Sequence, residues 1–396
     1  MKSTSVGILI VVVLASSVAW AATLTQSITV DCDSGQSLNG TLSKLSKQTP
    51  IIVSVNGTCT EYVQVLGFQN LTLKGISGAA LVQPSTAPGN LFTAVLFIEN
   101  SQSVSVDGFN IQAGTTTVEA IGIDHGSRDI RLRNLTIQGG GDGILIAENS
   151  QVSLAYVTGK DPGYSPLGVY DLSDVHVEHC LFEDTTGEPY HAGIDVGASH
   201  VTVYDTIIRN MQVGINLYGG SIVDVLAFNT YYPYSGSPQV TIASPAGTNY
   251  NGVSLSGKSS LNLNGVNQQA TKLVINQPGQ AYGGTTAGVL VSDGSVLEAS
   301  SGLVINGSHG QGILVLNNSH ATLQGVTVTG SGHGGLVASN LSSIDGSAGS
   351  TPSQVGSNGV DLFCDSDSII TGSANLSGVS TTQCSNLLAG QTVTLP

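Results

Sequence analysis

Charge is what this chain of 396 residues has least of: Lys, Arg, Asp and Glu together make up 9% of it. What charge there is leans one way, 26 acidic residues against 11 basic, for a formal net charge of −15 at pH 7. That balance argues against nucleic acid and anionic membranes as partners. It also repels a polyanionic polysaccharide at long range, unless a basic patch or bound cations intervene. Helical periodicity is missing as well: after residue 50 no stretch sustains an apolar period of 3.6 residues, so helices must be few. Beyond residue 22 no segment is apolar and long enough to span a bilayer. With so few charges, the surface must be mostly Ser, Thr, Asn and Gly, which suits a neutral polyhydroxylated partner.

Residues 1–22 combine one Lys, the apolar run VGILIVVVLA and the small residues SSVAWA. This is the pattern of a secretory signal peptide with a cleavage site near Ala21 or Ala22, so the mature chain is expected to be secreted or held at the cell surface. Five Cys fit an oxidising compartment. Cys32 with Cys59, and Cys364 with Cys384, bracket the two ends of the chain and are expected to staple them as disulfides. Cys180 is expected to be a buried core thiol.

What the chain does have is an eight-residue phrase: Gly, aliphatic, any, aliphatic, three variable residues, Ser. It reads GILIAENS from Gly143, GINLYGGS from Gly214, GVSLSGKS from Gly252, GVLVSDGS from Gly288, GILVLNNS from Gly312 and GLVASNLS from Gly335. Looser copies occur at Val95, Gly122, Gly168, Gly193 and Gly359, and a second short alternating run follows each Ser. A strand-and-turn unit of about 20–25 residues cannot bury its own apolar face, so the units must stack as coils of a parallel β-solenoid. With rungs ~4.8 Å apart, about 12 coils make an all-β rod of roughly 60 Å.

Solenoid ends need caps. Leu38, Leu42 and Leu45 at helical spacing predict a short capping helix over 37–48, just before a first strand at 51–55. The expected organisation is a signal peptide (1–22), an N-terminal cap (23–50), the β-helix (51–358) and a final coil and cap (359–396). Two long spacings mark loop insertions at 229–250 and 265–287. The first holds Tyr231, Tyr232 and Tyr234, candidate stacking platforms for sugar rings.

Candidate chemistry gathers in coils 123–216. The outward slot of the first strand reads Leu96, Asp124, Leu145, Tyr170, Asp195, Asn216 and Ser254. Turn slots just ahead add Asp142 and His191. A groove holding Asp124, Asp142, His191 and Asp195 as catalytic candidates, with Tyr170 and Asn216 contacting substrate, would place carboxylates as acid and base on a glycosidic bond. The ordinary role of such Asp and Asn residues, capping backbone amides in turns, competes with that reading. Asp124, Asp142 and Asp195 are also a candidate Ca²⁺ set, without any dense Asp-x-Asp run; no other cofactor is expected. Arg131 and Arg133 form the core of a basic patch on the second sheet, suited to uronate carboxylates or to ion pairs among themselves and their neighbours.

From the coils between Val95 and Val360, the helical cap and the N-terminal leader, the chain resembles the pectin-lyase-like superfamily, in particular bacterial right-handed parallel β-helix repeat proteins. SVNGTCTEYVQV (54–65) and GVDLFCDSDSIITG (359–372) have counterparts there. The resemblance implies a right-handed parallel β-helix and extracellular polysaccharide as the partner. The enzyme motifs of that superfamily do not carry over: GGGDGI has one Asp where polygalacturonases have two, PYHAGI lacks the Gly before His191, and no Arg-x-Lys follows. The expected function is therefore binding of extracellular glycan by a monomer, with processing of that glycan left open. The alternatives are a divergent lyase, hydrolase or epimerase, and a non-catalytic adhesion or matrix protein with a protein partner.

Overall fold

The computed structural model describes residues 25–86, 94–114, 118–186, 192–226, 239–243, 251–263, 272–276, 286–300, 302–346, 352–384 and 386–388. Its strands run parallel in two sheets, of 13 and 26 strands. The larger divides into two stacks that share the long strand Gln69–Val82, whose first half pairs with Gln102–Asp107 and whose end pairs with Asn110–Ala113. A coil therefore has three strands rather than the two seen in the sequence. Val213–Tyr218 lies in the 13-stranded sheet, then Ile222–Val225 and Gln239–Ala243 in the two stacks, before Asn251–Leu255 returns to the first sheet. This is a parallel β-helix.

Alternation along each strand sends every second side chain inward. Ile121, Ile144, Leu167, Ile194, Ile215, Val253, Val289 and Ile313 form one inward column, all fully buried or within 1% of it. Each such side chain contributes about 1.5–3 kcal/mol against the entropy of ordering its coil.

The Ser that closes each phrase turns into the wall rather than to solvent. Ser173, Ser199, Ser221, Ser259, Ser295, Ser319 and Ser342 each donate a backbone N–H to the hydroxyl of the Ser one coil on, at 3.1–3.4 Å. This ladder satisfies turn amides that have no strand partner.

The N-terminus differs from expectation in two ways. The helix is only Leu38–Leu42, capped by the Ser37 hydroxyl accepting from Gly40 N at 2.8 Å, and a strand Gln26–Asp31 precedes it and pairs with Ile51–Thr60. Leu38 and Leu42 are buried, and Leu45, beyond the helix, still packs on the core. Past Val360 the coil continues: Val360–Cys364 pairs with Gly334–Ala338, and Thr382–Cys384 with Val360–Cys364. Cys32–Cys59 and Cys364–Cys384 are bonded, and Cys180 is a free, buried thiol. Each insertion contains a regular rung, Gln239–Ala243 and Lys272–Asn276, paired with one another. The leader 1–22, His191, Tyr231, Tyr232 and Tyr234 lie outside the described residues. No described helix is long and apolar enough to cross a membrane.

Candidate active site on the 13-stranded sheet

The register of the 13-stranded sheet corrects the outward slot. Leu96 pairs with Ile121 and is buried, and Ile121 and Leu167 both pair with Ile144, so two phrases start two residues earlier, and one starts one residue later, than the spacing suggested. The outward face carries three columns. The middle one runs Phe97, Gly122, Leu145, Gly168, Asp195, Asn216, Ser254. The column at the strand ends holds Glu99, Asp124, Tyr170 and Tyr218, and the one at the strand starts holds Glu119, Asp142 and Ser165.

Glycine opens the middle column where the other two lean in. A Cβ on Gly168 would stand 2.9 Å from Asp142 Oδ2, 2.9 Å from the Tyr170 hydroxyl and 2.8 Å from its ring. One on Gly197 would meet the rings of Tyr218 and Tyr170 at 2.9 and 3.0 Å. Asp142 and Tyr170 thus converge on the space above Gly168, from opposite ends of neighbouring rungs. Tyr170 donates its hydroxyl to Asp195 Oδ2 at 2.9 Å, and Asn216 Nδ2 donates to Asp195 Oδ1 at 2.8 Å. Asp142 is held from its own side: its Oδ1 accepts from Ser165 N at 3.1 Å, and its backbone N–H donates to Glu119 Oε2.

Electrostatics follow from this crowding. Burial, reinforced by the neighbouring carboxylates of Glu119 and Asp195, pushes the Asp142 carboxyl up to about 7. Burial raises Glu119 to about 6, against the lowering effect of the Asp142 amide. The Tyr170 hydroxyl is driven well above the ordinary phenol range by burial and then by Asp142 and Asp195, so it is a donor. Near neutral pH the cluster therefore offers a carboxyl that can hold a proton, a carboxylate fixed by two donors, and a phenol between them.

Of the candidates named from the sequence, Asp142, Tyr170, Asp195 and Asn216 come together. Asp124 does not join them: it faces His125 and Glu148 two rungs away, so the Ca²⁺ trio of Asp124, Asp142 and Asp195 is not assembled. Arg131 and Arg133 are exposed on the other sheet, Arg131 paired with Asp129 at 2.8 Å. Glu119, Ser165 and Tyr218 were missed. Glu119 stands two residues before Ile121 as Asp142 does before Ile144, a parallel visible only in the corrected register. A cavity of about 580 Å³ farther along the same face lies over Leu314, Val337 and Phe363, with His333 but no carboxylate in its wall.

The family described as right handed beta helix region matches residues 53–229. The chain is a right-handed parallel β-helix. No curated protein matches by sequence. Solved structures of similar fold include an alginate lyase from Paenibacillus sp. str. FPU-7, 9% identical with a TM-score of 0.40, over 92% of this chain and 98% of that one. A family 28 exopolygalacturonase from Yersinia enterocolitica is 8% identical with a TM-score of 0.38, over 93% and 79%. The Streptococcus pneumoniae surface protein and adhesin PfbA is 14% identical with a TM-score of 0.34, over 86% and 90%. At these identities the likeness is one of fold alone.

Proposed function

We propose that this protein is a secreted or cell-surface glycan-active enzyme, binding polysaccharide across the outer face of the 13-stranded sheet and hydrolysing it at the Asp142 cluster. One observation carries the reading: a buried Asp142 carboxyl, held up to about 7, beside the Tyr170–Asp195–Asn216 hydrogen bonds. Asp142 gives its proton to the leaving glycosidic oxygen. Asp195, accepting from Tyr170 and Asn216, takes a proton from the attacking water as the C–O bond breaks. Asp142 Oδ2 and the Tyr170 hydroxyl each lie 2.9 Å from the point a Cβ on Gly168 would occupy, and that hydroxyl bonds Asp195, so the phenol stands between acid and base. Tyr164 and Tyr218, both exposed, flank the cluster as stacking surfaces for sugar rings.

Two disulfides fit the oxidising compartment that the leader implies. The test is incubation of the mature protein with a panel of neutral and uronate polysaccharides, following reducing ends and 4,5-unsaturated products. Hydrolytic product that is lost in Asp142→Asn supports the reading. Retention on a glycan without any product would replace it by binding alone, and unsaturated product would replace hydrolysis by elimination.

A further inference from the structure

One sheet of the rod is built without positive charge. None of the strands of the 13-stranded sheet, from Val63–Leu66 to Thr382–Cys384, contains a Lys or an Arg. Lys74, Arg131, Arg133, Lys160, Arg209 and Lys272 all stand on strands of the larger sheet. Lys160 and Arg209 end the strands that lead into Leu167–Tyr170 and Val213–Tyr218, and both pair with Glu183. The sequence of residues 87–93, 115–117, 187–191, 227–238 and 244–250 adds no Lys or Arg. Lys258, in the turn after Asn251–Leu255, stands two coils past Asp195.

Acid, in contrast, occupies every outward column around the Asp142 cluster. Glu99 and Asp124 stand at the strand ends, Asp195 in the middle, and Glu119 and Asp142 at the strand starts. His125, at the edge, lies 2.8 Å from Asp124 and 3.3 Å from Glu148, so it too faces carboxylates. Farther along, the middle column turns apolar through Leu290, Leu314, Val337 and Phe363. The cavity there has no Lys or Arg in its wall either. A carboxylate laid on this face therefore meets several like charges and no fixed cation. Contact with a ligand displaces water, which weakens screening and makes that repulsion count.

We propose that the glycan taken by this face is an uncharged polysaccharide, and that polyuronates are excluded from it. The inference rests on the reading of the face as a glycan site and decides which class of glycan enters. Like-charge contact discriminates between ligands of one shape, because it costs the wrong ligand without helping the right one. An uncharged sugar meets no such barrier. Its hydroxyls donate to the carboxylate oxygens, and its C–H faces pack on the exposed rings of Tyr164 and Tyr218. The basic side chains that a uronate would need, Arg131 and Arg133 among them, are on the other sheet.

The test uses the full mature protein and polymers matched in linkage. Polygalacturonate and alginate are each compared with their carboxyl-reduced forms, which keep the linkages and lose the charge, beside neutral xylan and glucomannan. Retention and product are followed with and without Ca²⁺, at about 0.02 M and about 0.5 M salt. Retention is expected on one or more uncharged polymers, unchanged by salt, and about tenfold weaker or less on both polyuronates at low salt. Tyr218→Ala should weaken it about tenfold, whereas Arg131→Ala combined with Arg133→Ala should leave it unchanged, which locates the polymer on this face. An unchanged Tm checks the folding of each variant. Retention or product on a polyuronate equal to that on its reduced form at low salt would overturn the proposal and leave the glycan reading standing. So would retention that depends on Arg131 and Arg133. No retention and no product on any polymer would remove the glycan reading itself, and the proposal with it.

Discussion

Tyr170 and Asp195 are joined across one rung: the phenol donates to Oδ2 at 2.9 Å, while the ring lies over the gap left by Gly197. The bond fixes which way the carboxylate points, since Asn216 takes the other oxygen. Tyr170→Phe keeps the ring and removes only the donor. It is expected to lower glycan turnover about ten- to a hundredfold through misplacement of Asp195, and to cost stability about 0.5–1.5 kcal/mol. Steady-state rates on the active polymer beside denaturant unfolding decide it. Unchanged turnover would remove Tyr170 from the site.

Asp142 ties the site to pH. Its folded pKa of about 7 lies above the ordinary 3.8, so between those values the folded state holds a proton that the unfolded chain has released. Stability therefore falls as pH rises from about 4 to about 7, by an amount on the order of 4 kcal/mol at most. Glu119, raised from 4.5 to about 6, adds to the same slope. Asp142→Asn is expected to flatten that slope, to be more stable than the parent at pH 8, and to lose at least a hundredfold in turnover. Unfolding curves at pH 4, 6 and 8 measure the first two. A parent chain whose stability climbs across that range would contradict the assignment.

Gly168 is needed for space, not for conformation. Any Cβ there comes within 2.9 Å of Asp142 Oδ2 and the Tyr170 hydroxyl, closer than such atoms approach. Gly168→Ala should push the two apart, costing about 1–3 kcal/mol while leaving the strand pairing intact. Turnover should drop as far as in Tyr170→Phe. A variant with parental rates would mean that the convergence above Gly168 has no catalytic part.

The three-strand coil was only partly legible in the sequence, and the reasons are physical. The phrase strands announce themselves because one face is packed and the other wet. A slip of two residues leaves the faces unchanged, so the pattern does not reveal it. That is why Asp124 was placed in the column of Asp195, and why Glu119, beside Asp142, was overlooked. The third strands, such as Thr136–Gly139 and Thr158–Lys160, offer a single buried position each, too little for a period to show. Asp142, Tyr170, Asp195 and Asn216 were found because polar residues broke an otherwise aliphatic pattern. How they meet depended on side chains crossing columns at Gly168 and Gly197, which no spacing encodes.

The serine ladder makes stability testable away from the site. Ser221 Oγ accepts from Ser199 N at 3.4 Å and donates to the carbonyls of Val196 and Tyr218 at 2.8 and 2.6 Å, with no solvent access. Ser221→Ala strands the Ser199 amide in the wall of the coil and removes a donor from both carbonyls, of which Tyr218 O keeps the Ala198 amide. A loss of about 1–3 kcal/mol is expected, whereas the exposed Ser366 replaced by Ala should change stability by less than about 0.5 kcal/mol. Equal effects at the two positions would show that the ladder is not a source of stability.

Cys180 reports on the same coils from inside. Its thiol packs beside Val157, 3% exposed, and donates to the Glu178 carbonyl at 3.2 Å. Burial pushes its pKa up to about 12, so at pH 8 the reactive thiolate is on the order of one part in 10⁴ even before access is considered. The other four cysteines are locked in disulfides, which leaves Cys180 as the site an alkylating reagent can report. Iodoacetamide should leave the native protein unmodified for hours and label one thiol at once in guanidinium. Because each coil rests on its neighbours, the labelling rate at intermediate denaturant should follow opening of the middle of the rod, not fraying of its stapled ends. Ser221→Ala, two coils away, should speed it, while loss of the Cys364–Cys384 bond should not. Rapid labelling of the folded protein would place Cys180 at the surface and overturn the register of its coil.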